Sequence, residues 1–351
     1  VLVRDAARAR SVRWDDGVVT TDVDALLATD SDVVVEAIGG IEPAAAIAEA
    51  TLARGARFVT ANKALVATHG AHLAAVAARH GGALDFEAAA GGAIPVVRAL
   101  RDGAAGVGVR RIAGVLNGTT NFVLGRLAVG GALEDAVRAA QAAGFAEADP
   151  SRDLDGRDAG DKLALLAWLA FGIAPHMLPV RTRGVAGTSL ADAPRLVAAV
   201  RAFGGVVRQV AEVATTESGL VARVGLAVVP ASSALGRAHD EGNAVVIESA
   251  SAGAIVLAGK GAGGDPTAGA LLGDLHRPAG PLPTPQAVRV AHVDPRAHDW
   301  LVVTHDVATT RRALAGVEVT ERDGVLAVRG READVDRALA GSGAAVAPLL
   351  G

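Results

Sequence analysis

The first 110 residues are ruled by one rhythm, in which short apolar runs alternate with Ala-rich stretches. The runs are 1–4 (VLVR), 31–36 (SDVVVE), 57–60 (RFVT) and 83–87 (ALDFE), with helices expected over 43–54 and from about 70 to 79. The Val-rich runs lack the polar alternation of a half-exposed strand, as befits strands buried on both faces. Strand and helix at this spacing predict an α/β fold, a doubly wound, Rossmann-like parallel sheet. Ligands of such sheets lie at the carboxyl ends of the strands. Three segments fall there: 36–40 (EAIGG), 60–63 (TANK) and 87–95 (EAAAGGAIP).

From about residue 109 the pattern changes. A strand is expected over 111–117, helices over 119–127 and 133–143, a polar loop over 147–157 and a helix over 158–171. Runs at 206–215, 220–229 and 244–248 predict consecutive antiparallel strands, and so a mixed α+β region. Residues 253–276 predict a strand, a Gly-rich loop and a helix, and 278–285 is a Pro-rich linker. The tail predicts βαββαβ, with a hairpin turning at Asp323-Gly324.

Composition narrows the chemistry. There is no cysteine, which excludes disulfides, thiolate metal sites and cysteine nucleophiles. The histidines form no ligand pair, so zinc is not expected. A net charge of −4 predicts neither nucleic acid nor an anionic membrane as partner. No apolar run approaches the roughly 20 residues of a membrane span, and no signal peptide is visible. A cytoplasmic enzyme or binding protein is expected. Of 34 basic residues only Lys63, Lys162 and Lys260 are lysine. Arginine does not release a proton at ordinary pH, whereas a buried lysine can. Each surviving lysine is therefore a candidate for chemistry that arginine cannot perform.

The densest candidate is 144–162, GFAEADPSRDLDGRDAGDK, which carries Glu147, Asp149, Asp153, Asp155, Asp158, Asp161 and Lys162. Asp158 and Lys162 are four apart and share a helix face. The apolar stretch behind them predicts a buried helix. The pair suits acid–base work and the acids suit a cationic group such as an ammonium; a solvated helix N-terminus accounts for the same acids. Lys63, after Thr60, sits at a strand end, facing cofactor or reacting carbon unless it is an ordinary loop lysine. Asn117, Gly118 and Thr119 open a helix whose N–H groups suit a carboxylate or phosphate, or serve plain capping. Irregular backbone at 87–95 could offer carbonyls to a monovalent cation, or form a turn. Residues 259–264 (GKGAGG) lack P-loop spacing.

In order, EAIGG, TANKALVA, EAAAGGAIPVV, VLNGTTNF, GFAEADPSRDLDGRDAGDKLALLA and GKGAGGDPTAGALLGDL resemble homoserine dehydrogenase over roughly residues 1–277. The resemblance implies NADP- or NAD-dependent interconversion of L-homoserine and L-aspartate 4-semialdehyde, toward threonine and methionine, by a homodimer or homotetramer. It implies Lys162 as the proton donor and acceptor, Asp158 as its partner and Lys63 between nicotinamide and substrate. Glu147 and Asp153 would serve the substrate's amino end, with Asn117, Gly118 and Thr119 also on substrate. Arg4, Gly39, Gly40, Thr60, Lys63 and Gly263 would line the cofactor, Arg4 favouring NADP while Asp5 could instead accept the free ribose hydroxyls of NAD. Glu87 with the carbonyls of Ala90, Gly92 and Ile94 resembles a sodium site. The implied domains are 1–112, completed by 253–277, for nucleotide; 113–252 for substrate and dimerisation; and 286–351 as a small ACT-like or degenerate regulatory module.

One departure stands out. A dinucleotide-binding domain opens with a strand and G-x-G-x-x-G, and here the run at 1–4 resembles the family's second strand. One βα unit of roughly 30 residues is missing, and a start placed too far downstream is the expected cause. The alternatives are a catalytically impaired homologue acting as a sensor, and another amino-acid dehydrogenase of the same architecture.

Overall fold

The computed structural model describes the chain except for residues 9–11, 13, 16, 105–106, 183–192, 201–203, 279, 323–324, 341, 343 and 351. Two sheets organise it. The first is parallel: β1 (Val33–Glu36), β2 (Arg57–Thr60) and β3 (Ala83–Asp85), in that order. The helices Ala44–Ala53 and Lys63–His80 make the crossovers. The β2 run is as short as its sequence implies, with Gly55 in the left-handed region before it and the Asn62 cap after it. Leu52, Phe58, Leu65, Leu73, Leu84 and Phe86 fill the layer beneath.

The second sheet has ten strands. It holds β4 (Val109–Val115), β5 (Arg181–Thr182), β6 (Gly205–Thr216), β7 (Gly219–Pro230), β8 (Gly242–Ser249), β9 (Gly253–Lys260), β10 (Ala297–Val303), β11 (Glu318–Arg322), β12 (Val325–Arg331) and β13 (Ala345–Leu349). Its order is β11-β12-β10-β13-β7-β6-β4-β8-β9, with β5 paired to β7. β6 and β7 form a long hairpin in register from Gly205↔Pro230 to Thr216↔Gly219. Alternation divides β6 between two faces: Ala211 and Val213 enter the helical core, while Val210 packs on the opposite side.

The helix Arg157–Phe171 joins the two halves. It is bounded by Gly156 and Gly172, both left-handed, and is buried from Leu163 to Leu169. Trp168 is fully buried and stacks on Phe86 at 5.7 Å between centroids. Burial of each such side chain contributes on the order of 2–3 kcal/mol. No helix among the described residues is long and apolar enough to cross a membrane.

Several expectations are corrected. The run at 1–4 forms only an isolated parallel bridge, Leu2 to Thr20, because Val3 N–H and Val1 C=O both bond Thr20 rather than a sheet strand. The helix expected from about 70 begins at Lys63, because the Asn62 side chain accepts from Leu65 N–H and starts it seven residues earlier. The strand at 83–87 ends at Asp85, and Glu87–Ala90 is helical. β6 and β7 pair antiparallel as expected, but β8 does not follow β7 in the sheet, since β4 lies between β6 and β8. The expected loop at 147–157 contains the short helix Ser151–Leu154. The βαββαβ tail is present, with β13 and β12 flanking β10. The Asp323-Gly324 turn lies outside the described residues, though Arg322 and Val325 pair across it.

Candidate active site

The end of β4 and the starts of three helices converge on one carboxylate. Asp158 opens the helix Arg157–Phe171, and Lys162 follows one turn later with its Nζ 3.0 Å from Asp158 Oδ2. Lys63, first residue of its helix, pairs with the other oxygen, Oδ1, from 95 residues away. Lys162 Nζ also donates to the Leu116 carbonyl at 2.8 Å. Asn117 caps the helix Gly118–Ala128, its Oδ1 accepting from Thr120 N–H at 2.8 Å. Its amide nitrogen donates to Asp153 Oδ1 at 2.7 Å and Asp158 Oδ2 at 2.9 Å. The Asp153 carbonyl in turn accepts from Thr120 Oγ1 at 2.8 Å.

The charges are balanced around Asp158. Burial pushes its carboxyl pKa up, but the ammonium groups of Lys162 and Lys63 outweigh burial and hold it well below the usual carboxylate range. Asp153 has no such direct partner, and burial raises it despite the Asn117 hydrogen bond. Lys162 commits one of its three hydrogens to Leu116 and turns its charge to Asp158, which leaves donor capacity for a further oxygen.

The remaining expected residues divide into groups. Glu147 is exposed and Gln141 Nε2 donates to its backbone carbonyl; no contact joins its side chain to the cluster among the described residues. Thr119 spends its hydroxyl on the Phe145 carbonyl at 2.5 Å. Gly118 packs against Glu241, so a Cβ there would lie 3.1 Å from the Glu241 carbonyl oxygen. Gly39 and Gly40 form a left-handed turn after β1, and Arg4 Nη2 donates to the Ile38 and Gly39 carbonyls at 2.5 and 2.8 Å. Gly263 precedes the helix Gly264–His276 with φ 115°. These glycines leave bare backbone after a strand end and before a helix start, respectively.

Glu87 is 2 % exposed, and its oxygens accept from Val97 and Arg98 N–H at 2.8 and 2.9 Å. Ile94 C=O accepts from Val96 N–H, and Gly92 lies against Gly261. Burial pushes Glu87 up to about 7, with the two amide bonds opposing and Asp274 adding to the rise. It has no ion pair among the described residues, so a cation held by the neighbouring carbonyls would relieve it. No group of three His, Asp or Glu that could hold a metal occurs among the described residues.

Sequence reasoning marked the segments 36–40 and 60–63 but gave no role to Glu36 or Asn62 within them. Glu36 is 3 % exposed; its Oε1 accepts from Ile38 and Gly39 N–H, and its Oε2 from Thr60 Oγ1 at 2.5 Å. Asn62 donates to Gly40 C=O at 2.5 Å while capping the Lys63 helix. Together they tie the Gly39-Gly40 turn to Thr60 and Lys63. The signal was an acid closing an apolar strand just before two glycines.

Comparison with known proteins gives one family throughout. The homoserine dehydrogenase model matches residues 95–276, and the model of the homoserine dehydrogenase NAD binding domain matches 1–87. A homoserine dehydrogenase of Mycobacterium tuberculosis is 40% identical over 285 residues, 78% of this chain and 64% of its own length. The chain thus spans about two-thirds of that relative. A homoserine dehydrogenase structure from Thiobacillus denitrificans superposes with a TM-score of 0.79 at 29% identity, covering 91% of this chain and 82% of that one. A hyperthermophilic archaeal homoserine dehydrogenase in complex with NADPH gives 0.59 at 28% identity, covering 70% of each chain.

Proposed function

Because the chain belongs to the homoserine dehydrogenase family, we propose that it interconverts L-homoserine and L-aspartate 4-semialdehyde with a nicotinamide cofactor, on the route to threonine and methionine. The observation that carries this reading is the single carboxylate of Asp158 held between Lys63 and Lys162.

The cofactor, when bound, supplies or accepts the hydride. The protein's task is to position the reacting carbon and move one proton. Lys162 donates that proton to the substrate's carbonyl oxygen, or takes it from the hydroxyl in the reverse direction. Asp158 orients both ammonium groups, and Lys63 fixes the substrate from the nucleotide side. The open N–H groups at Gly118 and Thr119 suit the substrate carboxylate, with Asn117 ordering the turn. Asp153 and Glu147 provide negative charge for the substrate ammonium.

Gly39, Gly40, Thr60 and Gly263 would hold the dinucleotide. Arg4 at the Gly39 turn supports NADP, since a guanidinium can pair with a 2′-phosphate. A sodium ion on the carbonyls of Ala90, Gly92 and Ile94 would offset the buried charge of Glu87. The assembly implied is a homodimer or homotetramer through the large sheet, in the cytoplasm.

The test is spectrophotometric oxidation of NADPH and of NADH with aspartate semialdehyde. Substrate-dependent turnover is expected, faster with NADPH. No turnover with either cofactor would overturn the proposal.

A further inference from the structure

The substrate turn at Asn117–Thr119 and the glycine-rich turn at 260–263 come from segments 140 residues apart, yet hydride transfer needs them at a fixed spacing. The structure places one short loop, residues 238–243, against both. At its first end the loop touches the substrate turn. Gly118 leaves no room for a side chain, because a Cβ would meet the Glu241 carbonyl oxygen at 3.1 Å and Cα at 3.2 Å. At its second end the loop runs into Asn243, which is 2 % exposed and lies on Gly261; a Cβ on Gly261 would sit 2.0 Å from Asn243 Nδ2. Gly261 in turn rests on Gly92, and Lys260 C=O accepts from Ala93 N–H at 3.1 Å. Gly118, Glu241, Asn243, Gly261 and Gly92 thus form a line of close approaches from the substrate turn to the cofactor turn.

The conformation of the loop is held by Asn121. This side chain is 2 % exposed and lies one turn beyond Asn117 on the same helix. Its Nδ2 is 3.0 Å from the Ala238 carbonyl, 3.0 Å from the Asp240 carbonyl and 3.2 Å from the Gly242 carbonyl. Two amide hydrogens are shared among three backbone acceptors of one loop, which ties the loop to the helix Gly118–Ala128. Between them Asp240 adopts φ 50°, the one left-handed non-glycine residue among those described. Backbone strain of this kind persists only where the surroundings over-determine it.

We infer that Asn121, acting through the 238–243 loop and Asn243, is a positioning residue that sets the gap between the substrate turn and the cofactor turn. The inference rests on the dehydrogenase reading above. Among the described residues the Asn121 side chain bonds only carbonyls of this loop and not Lys63, Asp158 or Lys162, so its effect is on distance and not on proton transfer.

The test compares the full chain with Asn121→Asp and Asn243→Ala. Asp is close in size but presents a carboxylate to three carbonyl oxygens; Ala removes the contact on Gly261 without adding bulk. The readouts are kcat, NADPH affinity by fluorescence, and the isotope effect with NADPH deuterated at the transferred position. A displacement near 1 Å predicts a loss of kcat on the order of 10²-fold, a larger isotope effect in both variants, and little change in NADPH affinity. A control, Leu326→Ala in the buried core of the tail, lowers stability far from the site and is expected to leave the isotope effect unchanged. If the two variants lose activity only in step with thermal stability and keep the wild-type isotope effect, the inference is overturned while the dehydrogenase reading stands. A wild-type chain without turnover overturns both.

Discussion

Replacing Glu87 with glutamine should have opposite effects on stability at low and high pH. The folded state holds the Glu87 proton up to about 7, whereas the unfolded chain releases it near the ordinary value of 4.5. Between those values the folded state binds more protons than the unfolded one. Stability therefore falls as pH rises through this window, and above it the penalty is complete. A span from 4.5 to about 7 corresponds to roughly 3 kcal/mol at about 1.4 kcal/mol per pH unit. Glutamine is neutral throughout and escapes that cost. It offers one acceptor oxygen where the carboxylate offers two, so it gives up either the Val97 or the Arg98 amide, a loss of about 1 kcal/mol. Glu87→Gln should be close to wild type near pH 5, where about 1 kcal/mol of the penalty is already present and offsets the lost hydrogen bond, less stable by about 1 kcal/mol well below the unfolded value of 4.5, and more stable by about 2 kcal/mol near pH 8. Urea unfolding at a series of pH values in sodium-free buffer measures this. Added sodium should flatten the wild-type profile by holding the carboxylate ionised, and leave the variant unchanged. A difference between the two chains that stays constant across the series, without sodium, would refute the reasoning.

Three further outcomes follow from the buried and partly buried charges. Lys162→Arg keeps the charge beside Asp158 but cannot release a proton, so kcat should fall by about 10²–10⁴-fold with an unchanged circular dichroism spectrum; wild-type kcat would remove Lys162 from the mechanism. Asp158→Asn leaves Lys63 and Lys162, which are 21% and 14% exposed, with only the charges of Asp153 and Asp161 among the described residues, neither of them in direct contact, to offset them. It should cost about 2 kcal/mol, partly restored by salt, after discounting a fully buried pair for solvent screening; a salt-independent melting temperature equal to wild type would contradict this. Arg208 is 5 % exposed and bonds only the Val207 and Gly236 carbonyls and the His239 ring, with no carboxylate partner among the described residues. Arg208→Met should therefore stay within about 1 kcal/mol of wild type or gain stability, and calorimetry showing a loss several times larger would refute it.

Local patterns were legible where one segment decides its own structure. RFVT is β2 to the residue, and the apolar stretch after Lys162 is the buried helix it was expected to be. Boundaries failed where a side chain overrode pattern: Asn62 starts a helix that Ala-rich periodicity placed seven residues later. The order of strands was not legible, because placing β4 between β6 and β8 depends on pairings about 100 and 135 residues apart. The site divided in the same way. Asp158 and Lys162 share a helix turn, so their pairing could be derived from spacing. Lys63 joins them across 95 residues; lysine scarcity and its strand-end position marked it as a candidate, but nothing in the spacing showed that it would meet Asp158. The segment 36–40 was marked by its place at a strand end, but the part Glu36 plays was not legible, because two of its three donors come from the turn that follows and one from the next strand.

β7 is the seam between the body and the tail. Its outer edge is taken by β5 near Arg223 and by β13 at Val228, where Leu350 N–H bonds the Val228 carbonyl at 2.8 Å. The Pro-rich linker thus marks a change of composition and not a line along which the protein comes apart. Cutting there would strip the partner from an apolar strand and leave its backbone groups as a template for any passing chain. Whatever else the tail does, it serves as the selvedge of the sheet, finishing an edge that would otherwise fray into aggregates. Exchange of this module between relatives must therefore carry a matching strand along with it.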